Sequence, residues 1–102
     1  MKLAVFSRQA QRDLRAIARY LADESGNRPT ATRFIRKLRE RCHRLAAYDA
    51  TLGRPRDHFQ PGLRSVAFKS YVIFFRYHDS DVEIVTIVHG MRDIDAMFED
   101  DD

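Results

Sequence analysis

The sequence predicts an α+β domain, in which an N-terminal strand and a helical hairpin pack on an antiparallel sheet of three to four strands. Two amphipathic stripes at helical spacing fill the first half, and strand-forming β-branched and aromatic segments fill the second. A loop rich in glycine and proline separates the two halves. A chain of 102 residues makes one domain of ordinary size. We assign residues 1–98 to this domain and residues 99–102 to an acidic tail.

The first half predicts one strand and two helices. Lys2 to Phe6 is a short strand candidate, and Ser7 is a plausible cap for the helix that follows. Gly26 ends that helix, and Asn27 can cap the next. The apolar stripes of the two helices comprise Ala10, Leu14, Ile17, Ala18 and Leu21, and then Ala31, Phe34, Ile35, Leu38, Cys42, Leu45 and Ala46. Each stripe has to be buried, and the sheet is the surface available to cover it.

The second half predicts an antiparallel meander. Residues 49–62 carry two glycines and two prolines without periodicity, which indicates a loop. Three strands follow between residues 62 and 88, with hairpin breaks at residues 69–70 and 79–81. Residues 92–98 are expected to add one or two helical turns.

Charge divides the chain sharply. Residues 1–56 hold 14 Lys and Arg against 5 Asp and Glu, whereas residues 57–102 hold 4 against 10. The helices therefore present the cations, which favours an acidic partner: a phosphate backbone, an acidic protein segment or the acidic end of this same chain. A merely solvated helical face is an equally weighted interpretation, because arginine is also a good helix former.

Several classes of function find no support in the sequence. No apolar run reaches the roughly 20 residues of a spanning helix, and the N-terminus does not resemble a signal peptide, so the cytoplasm is the expected location. A single cysteine rules out an internal disulfide, and the four histidines lack metal-ligand spacing. We therefore expect neither a metal nor another cofactor.

Cations and tyrosines within the meander form the candidate functional set. Arginine suits bidentate phosphate contacts, histidine transfers protons near neutral pH, and tyrosine stacks on a base or forms hydrogen bonds. The candidates are Arg64, Tyr71, Arg76, His89, Arg92 and Asp93. Strand alternation places Tyr71 on one face and Arg76 on the other, so the set cannot share one surface. The commoner interpretation of any one cation is a solvated edge.

The ordered motifs resemble the ParE branch of the RelE/ParE toxin superfamily over nearly the whole chain. They follow the N-terminal strand and the basic hairpin, and comprise Gly53–Pro55, Gly62–Ser65, Tyr71–Arg76, Val82–Val85 and His89–Asp93. One departure is Lys69-Ser70, at a hairpin where such toxins often have glycine.

The resemblance implies a bacterial toxin that a cognate antitoxin holds inactive. ParE-like members poison DNA gyrase, whereas RelE-like members cut messenger RNA on the ribosome. RNA cleavage needs a general acid, a general base and cations, and RNA-cutting relatives often place Tyr or His at the end of the chain. This chain ends in acidic residues instead. We therefore expect a non-enzymatic gyrase poison, with no catalytic residue assigned, and ribosome-dependent mRNA cleavage as the alternative.

The expected antitoxin is ParD-like, with a ribbon-helix-helix domain and a C-terminal part that folds across the toxin. Its candidate contacts are Val66, Phe68, Arg36 and Arg39, which combine apolar sheet residues with helical cations. A third alternative is a non-toxic module that binds nucleic acid or protein through the basic hairpin.

Overall fold

The computed structural model describes residues 2–47 and 51–90. Two helices cover one face of a five-stranded mixed sheet, which confirms the α+β class. The elements in chain order are β1 (Leu3–Phe6), α1 (Arg8–Ser25), α2 (Arg28–Ala47), β2 (Arg54–Pro55), β3 (Leu63–Phe68), β4 (Tyr71–Tyr77) and β5 (Asp81–His89). The expected helical turns of residues 92–98 and the acidic tail lie outside the described residues.

The helical hairpin forms where local signals predict it. The Ser7 hydroxyl accepts a hydrogen bond from the Ala10 N–H at 3.0 Å, which caps α1. Gly26 ends α1 with a φ of 65°, a left-handed conformation that glycine adopts without a steric penalty. The Asn27 side chain then accepts from the Thr30 N–H at 3.2 Å at the start of α2.

The sheet has more strands than the sequence predicts, in the order β1-β5-β4-β3-β2. The three central strands form the predicted meander. β1 adds to one edge and lies parallel to β5, with Ala4 opposite Val82 and Phe6 opposite Ile84. At the other edge, Arg54 and Pro55 pair with Ser65 and Arg64 inside the segment predicted as loop. The β1 pairing joins distant parts of the chain, and the β2 pairing joins residues 9 to 11 positions apart across a segment without periodicity, so a local pattern encodes neither.

The two faces of the sheet carry separate apolar clusters. The larger cluster lies between the sheet and the helices and includes Leu14, Leu38, Phe75 and Ile84. A smaller cluster on the far face is built on Leu63, Val72 and Phe74, with Phe59, Val85 and Val88 packed against it. Within the described residues, no helix is long and apolar enough to cross a membrane.

Candidate functional site

Arg64 braces the loop that precedes β2. Its Nε donates to the Leu52 carbonyl oxygen at 2.7 Å, and its Nη2 donates to the Gly53 carbonyl oxygen at 2.8 Å. Gly53 has a φ of 83°, and a Cβ there would lie 2.7 Å from Phe75 Cζ and 2.8 Å from the Ser65 carbonyl oxygen. The loop backbone therefore sits tightly against the sheet, and the Arg64 guanidinium is already engaged in holding it.

Arg76 lies on the face of the sheet away from the helices. Its Nη2 donates to Gln60 Oε1 at 2.7 Å, and its Nη1 lies 3.4 Å from Glu83 Oε1. The same carboxylate oxygen lies 3.0 Å from His78 Nε2. The Arg76 Nε is buried and has no hydrogen-bond partner among the described residues. Arg76 thus links the loop before β3 to β5.

His89 and Tyr71 stand together at the end of β5, on the helix side of the sheet. Their ring centroids are 5.1 Å apart in an edge-to-face arrangement. They help to line a cleft of about 310 Å³ between α1 and β5, which also includes Asp13, Tyr20 and Ile87. The pKa of Tyr71 is raised from its ordinary value of 10.0, first because burial disfavours the phenolate and second because Tyr20 is near. Tyr71 is therefore a neutral hydrogen-bonding group at physiological pH.

The structure places the predicted functional residues of the meander at separate positions on the sheet. Tyr71 and His89 are opposite each other in the sheet register, while Arg64 pairs with Phe75, four residues further along β4. That offset amounts to about 13 Å along the strand direction. Arg76 is on the other face, as alternation predicted. Arg92 and Asp93 lie outside the described residues, so their place relative to His89 stays a prediction.

Cys42 and the histidines carry no metal chemistry in the part of the chain that the structure describes. Residues 2–47 and 51–90 contain no group of three or more His, Cys, Asp or Glu side chains placed to hold a metal ion. Cys42 is fully buried, and burial raises the pKa of its thiol to about 12, a shift that Arg39 and Arg41 oppose only in part. The thiol is therefore neutral and inert at physiological pH.

The candidate antitoxin contacts fall in two places. Val66 and Phe68 are half-buried against the helix-side cluster, and Phe68 packs edge-on to Phe34 with ring centroids 5.6 Å apart. The helix-side cluster thus covers part of the apolar surface of these two candidate contacts. Arg36 and Arg39 are exposed on α2, and the Arg39 guanidinium lies 5.3 Å from the centre of the Phe6 ring.

Sequence reasoning missed Asp13, which seals the edge of β5 beyond the end of β1. Its Oδ2 accepts from Thr86 Oγ1 at 2.6 Å and from the Ile87 N–H at 3.0 Å. Ser7, predicted only as a cap, also donates through Oγ to the Val85 carbonyl oxygen at 2.7 Å. One feature of the sequence could have indicated this role: Asp13 is the one acid in the first 22 residues, and it lies next to an apolar stripe.

Comparison with known proteins fits this architecture. A chain of the chromosomal ParDE toxin–antitoxin system from P. aeruginosa shares the fold, with a TM-score of 0.78 and 22% sequence identity. The match covers 89% of this chain and 98% of that chain. Toxin ParE3 of Caulobacter vibrioides is 28% identical over 96 residues, which cover 94% of each protein.

The family follows from the sequence itself. The family model described as ParE toxin of type II toxin-antitoxin system, parDE, matches residues 4–94, nearly the whole chain. The fold and the family model together define this chain as a small α+β toxin. More particularly, this chain belongs to the ParE toxin family of type II toxin–antitoxin systems, as its motifs predicted.

Proposed function

We propose that this toxin poisons DNA gyrase by binding to it in the cytoplasm, without performing chemistry of its own. Two arginines of the candidate site, Arg64 and Arg76, already form hydrogen bonds within the chain, and this supports the proposal. Arg64 holds backbone carbonyls and Arg76 holds Gln60 and Glu83, so neither guanidinium is free to stabilise a developing phosphorane. They also lie on opposite faces of the sheet.

The cleft at His89 is the surface that we assign to the target. It combines an apolar floor, two tyrosine rings and an exposed histidine, a composition common at protein interfaces. Arg92 lies three residues after His89 in the sequence, and we expect it to contribute to the same contact.

Purified wild-type protein should produce gyrase-dependent DNA cleavage complexes on plasmid DNA. Substituting His89→Ala should weaken this effect in a graded way, because one contact among several is lost. Arg92→Ala should likewise reduce toxicity. His58→Ala is the matched control, since His58 is exposed and stacks on Phe59 away from the cleft.

The alternative function, ribosome-dependent mRNA cleavage, would be favoured by the opposite pattern. Mapped cuts in translated mRNA that His89→Ala slows about a hundredfold or more would overturn the gyrase proposal, because that size of loss marks proton transfer. A non-toxic binding module would be indicated if expression of the wild-type chain alone leaves growth unchanged.

An antitoxin partner follows from the family, and we propose that it is ParD-like, with a ribbon-helix-helix domain and a C-terminal segment that folds across the helices. A depression of about 230 Å³ supports this contact, because it places Phe68 beside Lys37, Arg41 and Arg44, along with one acid, Glu40. Among the described residues, the ion pairs within 4.0 Å involve Glu83 and not the helical cations. These cations can therefore pair with an acidic segment.

Calorimetry with the product of the adjacent gene tests this contact. Arg44→Glu, in the lining of this depression, should weaken binding about tenfold through like-charge repulsion, whereas Arg54→Glu, an exposed arginine on β2, is the control and should change it little. Absence of binding to the product of either neighbouring gene would overturn the antitoxin proposal.

A further inference from the structure

The cleft between α1 and β5 combines aromatic rings with a carboxylate. Tyr20 and Tyr71 line it together with His89, Asp13 and Ile87. Tyr20 is 54% exposed, although it stands beside the buried stripe of α1. An aromatic ring left open to solvent at the rim of a recess offers its face to a ligand, and the π-face of tyrosine attracts cations.

Tyr71 supplies an unused polar group to this cleft. The residue is 5% exposed, yet its hydroxyl has no hydrogen-bond partner among residues 2–47 and 51–90. Burial, and then the nearness of Tyr20, raises the pKa of this hydroxyl, so it stays protonated and can both donate and accept. A buried tyrosine hydroxyl normally has a partner, and here a ligand in the cleft can provide it.

Asp13 gives the cleft a negative charge. Its Oδ2 accepts from Thr86 Oγ1 and from the Ile87 N–H, which occupies both lone pairs of that oxygen. Its Oδ1 accepts from Gln9 Nε2 at 2.8 Å and keeps a second acceptor position. Within the described residues, Asp13 has no ion-pair partner inside 4.0 Å. The carboxylate therefore favours a cationic donor as its remaining partner.

The charges around the cleft favour the same kind of ligand. No Lys or Arg is among the described residues that line it. The Arg12 guanidinium, next to Asp13 in the sequence, donates to Gln9 Oε1 at 3.0 Å instead. Helical spacing puts a second acid, Glu24, on the face of Asp13, whereas the cations of α1 share another face: Arg8, Arg12, Arg15 and Arg19. Asp13 repels a phosphate group and attracts a cation.

We propose that the cleft is a receptor site for one arginine side chain of gyrase, the proposed target. The guanidinium lies against the Tyr20 and Tyr71 rings and donates to the Tyr71 hydroxyl and to Asp13 Oδ1. Arginine suits this site better than lysine, because a planar guanidinium stacks on a ring and donates in two directions at once. This inference deepens the proposed function and rests on its assignment of the cleft to the target.

Binding of a single blocked arginine tests the chemistry of the cleft. N-acetyl-arginine methylamide, titrated into the wild-type chain, should shift the NMR signals of Tyr20, Tyr71 and Ile87 in a saturable way. The matched ligand is N-acetyl-citrulline methylamide, which has the same shape but a neutral urea group. It should bind about tenfold more weakly or not at all, because it lacks the charge that Asp13 attracts. Equal binding of the two ligands contradicts the inference.

Substitutions connect the cleft to the target. Asp13→Asn removes the charge but keeps an oxygen that can accept from Thr86 and Ile87. Tyr20→Leu removes the exposed ring. Each should reduce arginine binding and gyrase-dependent DNA cleavage about tenfold. The control, Asp79→Asn, removes the same charge from an exposed turn at the other end of β5 and should change neither. Circular dichroism checks folding, and if Asp13→Asn fails to fold, Tyr20→Leu and the citrulline comparison still decide.

The outcomes separate this inference from the proposed function. If Asp13→Asn and Tyr20→Leu form as many cleavage complexes as the wild type, the inference is wrong and the proposed function stands. A loss of antitoxin affinity in those two variants, with cleavage unchanged, would likewise refute it and assign the cleft to the antitoxin. If Arg92→Ala strengthens binding of the blocked arginine about tenfold, the chain's own arginine competes for the cleft, and the inference fails. Absence of cleavage complexes with the wild type would overturn both.

Discussion

The two faces of the sheet are held by different physical means. On the helix side, Leu38, Phe75 and Ile84 are fully buried in a continuous apolar cluster. On the far side, a smaller cluster is completed by hydrogen-bonded arginines. Arg56 Nε donates to Ser65 Oγ at 2.8 Å, and Arg76 reaches Gln60 and Glu83.

Because of this difference, the residues that stabilise the fold can be distinguished from those that are candidates for function. The helices close their face by burying apolar area, the dominant favourable term in folding. Neither of the described helices covers the far face, and there guanidinium groups satisfy loop and strand atoms while their aliphatic stems add packing. A partly buried arginine in this chain is therefore not by itself a mark of catalysis. The cleft beside His89, which we propose as the target surface, lies where neither device is complete.

The largest expected effect comes from the helix-side cluster. Leu38→Ala should lower the free energy of unfolding by about 2 to 5 kcal/mol, because it removes a fully buried side chain and leaves a cavity. Lys37→Ala, at the adjacent exposed position, should stay within about 0.5 kcal/mol. Urea unfolding followed by circular dichroism measures both. Equal effects at the two positions would contradict the assigned burial.

What the sequence predicts and what it misses follow from the range of the interactions. The caps at Ser7 and Asn27 and the stop at Gly26 were predictable, since each depends on residues within four positions. Strand alternation likewise separated Tyr71 from Arg76. The parallel pairing of β1 and the bonds from Asp13 to β5 join residues far apart in the chain, and the short β2 lies in a segment without periodicity, so no local pattern encodes them. The division of the candidate site has the same origin, because Arg64 is committed to the Leu52 and Gly53 carbonyls.

The loop at Gly53 should be the next most sensitive position. Gly53→Ala places a Cβ within 2.8 Å of the Ser65 backbone and requires a left-handed alanine, which together should cost about 3 kcal/mol. Gly26→Ala is the matched control: its φ is similarly positive at 65°, but nothing lies within 4 Å of the added methyl group. Gly26→Ala should lower the free energy of unfolding by about 1 kcal/mol, because it carries only the conformational cost of a left-handed alanine. Thermal melting of both variants checks the difference, and equal costs would show that the Gly53 contact is easily relieved.

Cys42 should make the helix-side cluster sensitive to alkaline pH. Its pKa is raised from 9.0 to about 12 in the folded chain, so the unfolded thiol ionises first and stability is lost as pH rises above about 9. The loss should be about 1.4 kcal/mol for each pH unit between those pKa values. Comparing wild type with Cys42→Ala at pH 8 and pH 10.5 isolates this contribution from that of Tyr71. A stability difference between the two proteins that does not change with pH would contradict the assignment.

The smallest effect is expected on the far face, at Glu83. Glu83→Gln removes the charge that faces Arg76 and His78, but the Glu83 side chain is 33% exposed and His78 is 46% exposed, so water screens the interaction. The amide can still accept a hydrogen bond from Arg76, and the loss should stay below about 1 kcal/mol. It should shrink further in high salt, since exposed charges are screened. Chemical unfolding in urea at low and high salt measures it. A loss as large as that of Leu38→Ala would mean that the two faces contribute equally, and that the far-face arginines form a core of their own.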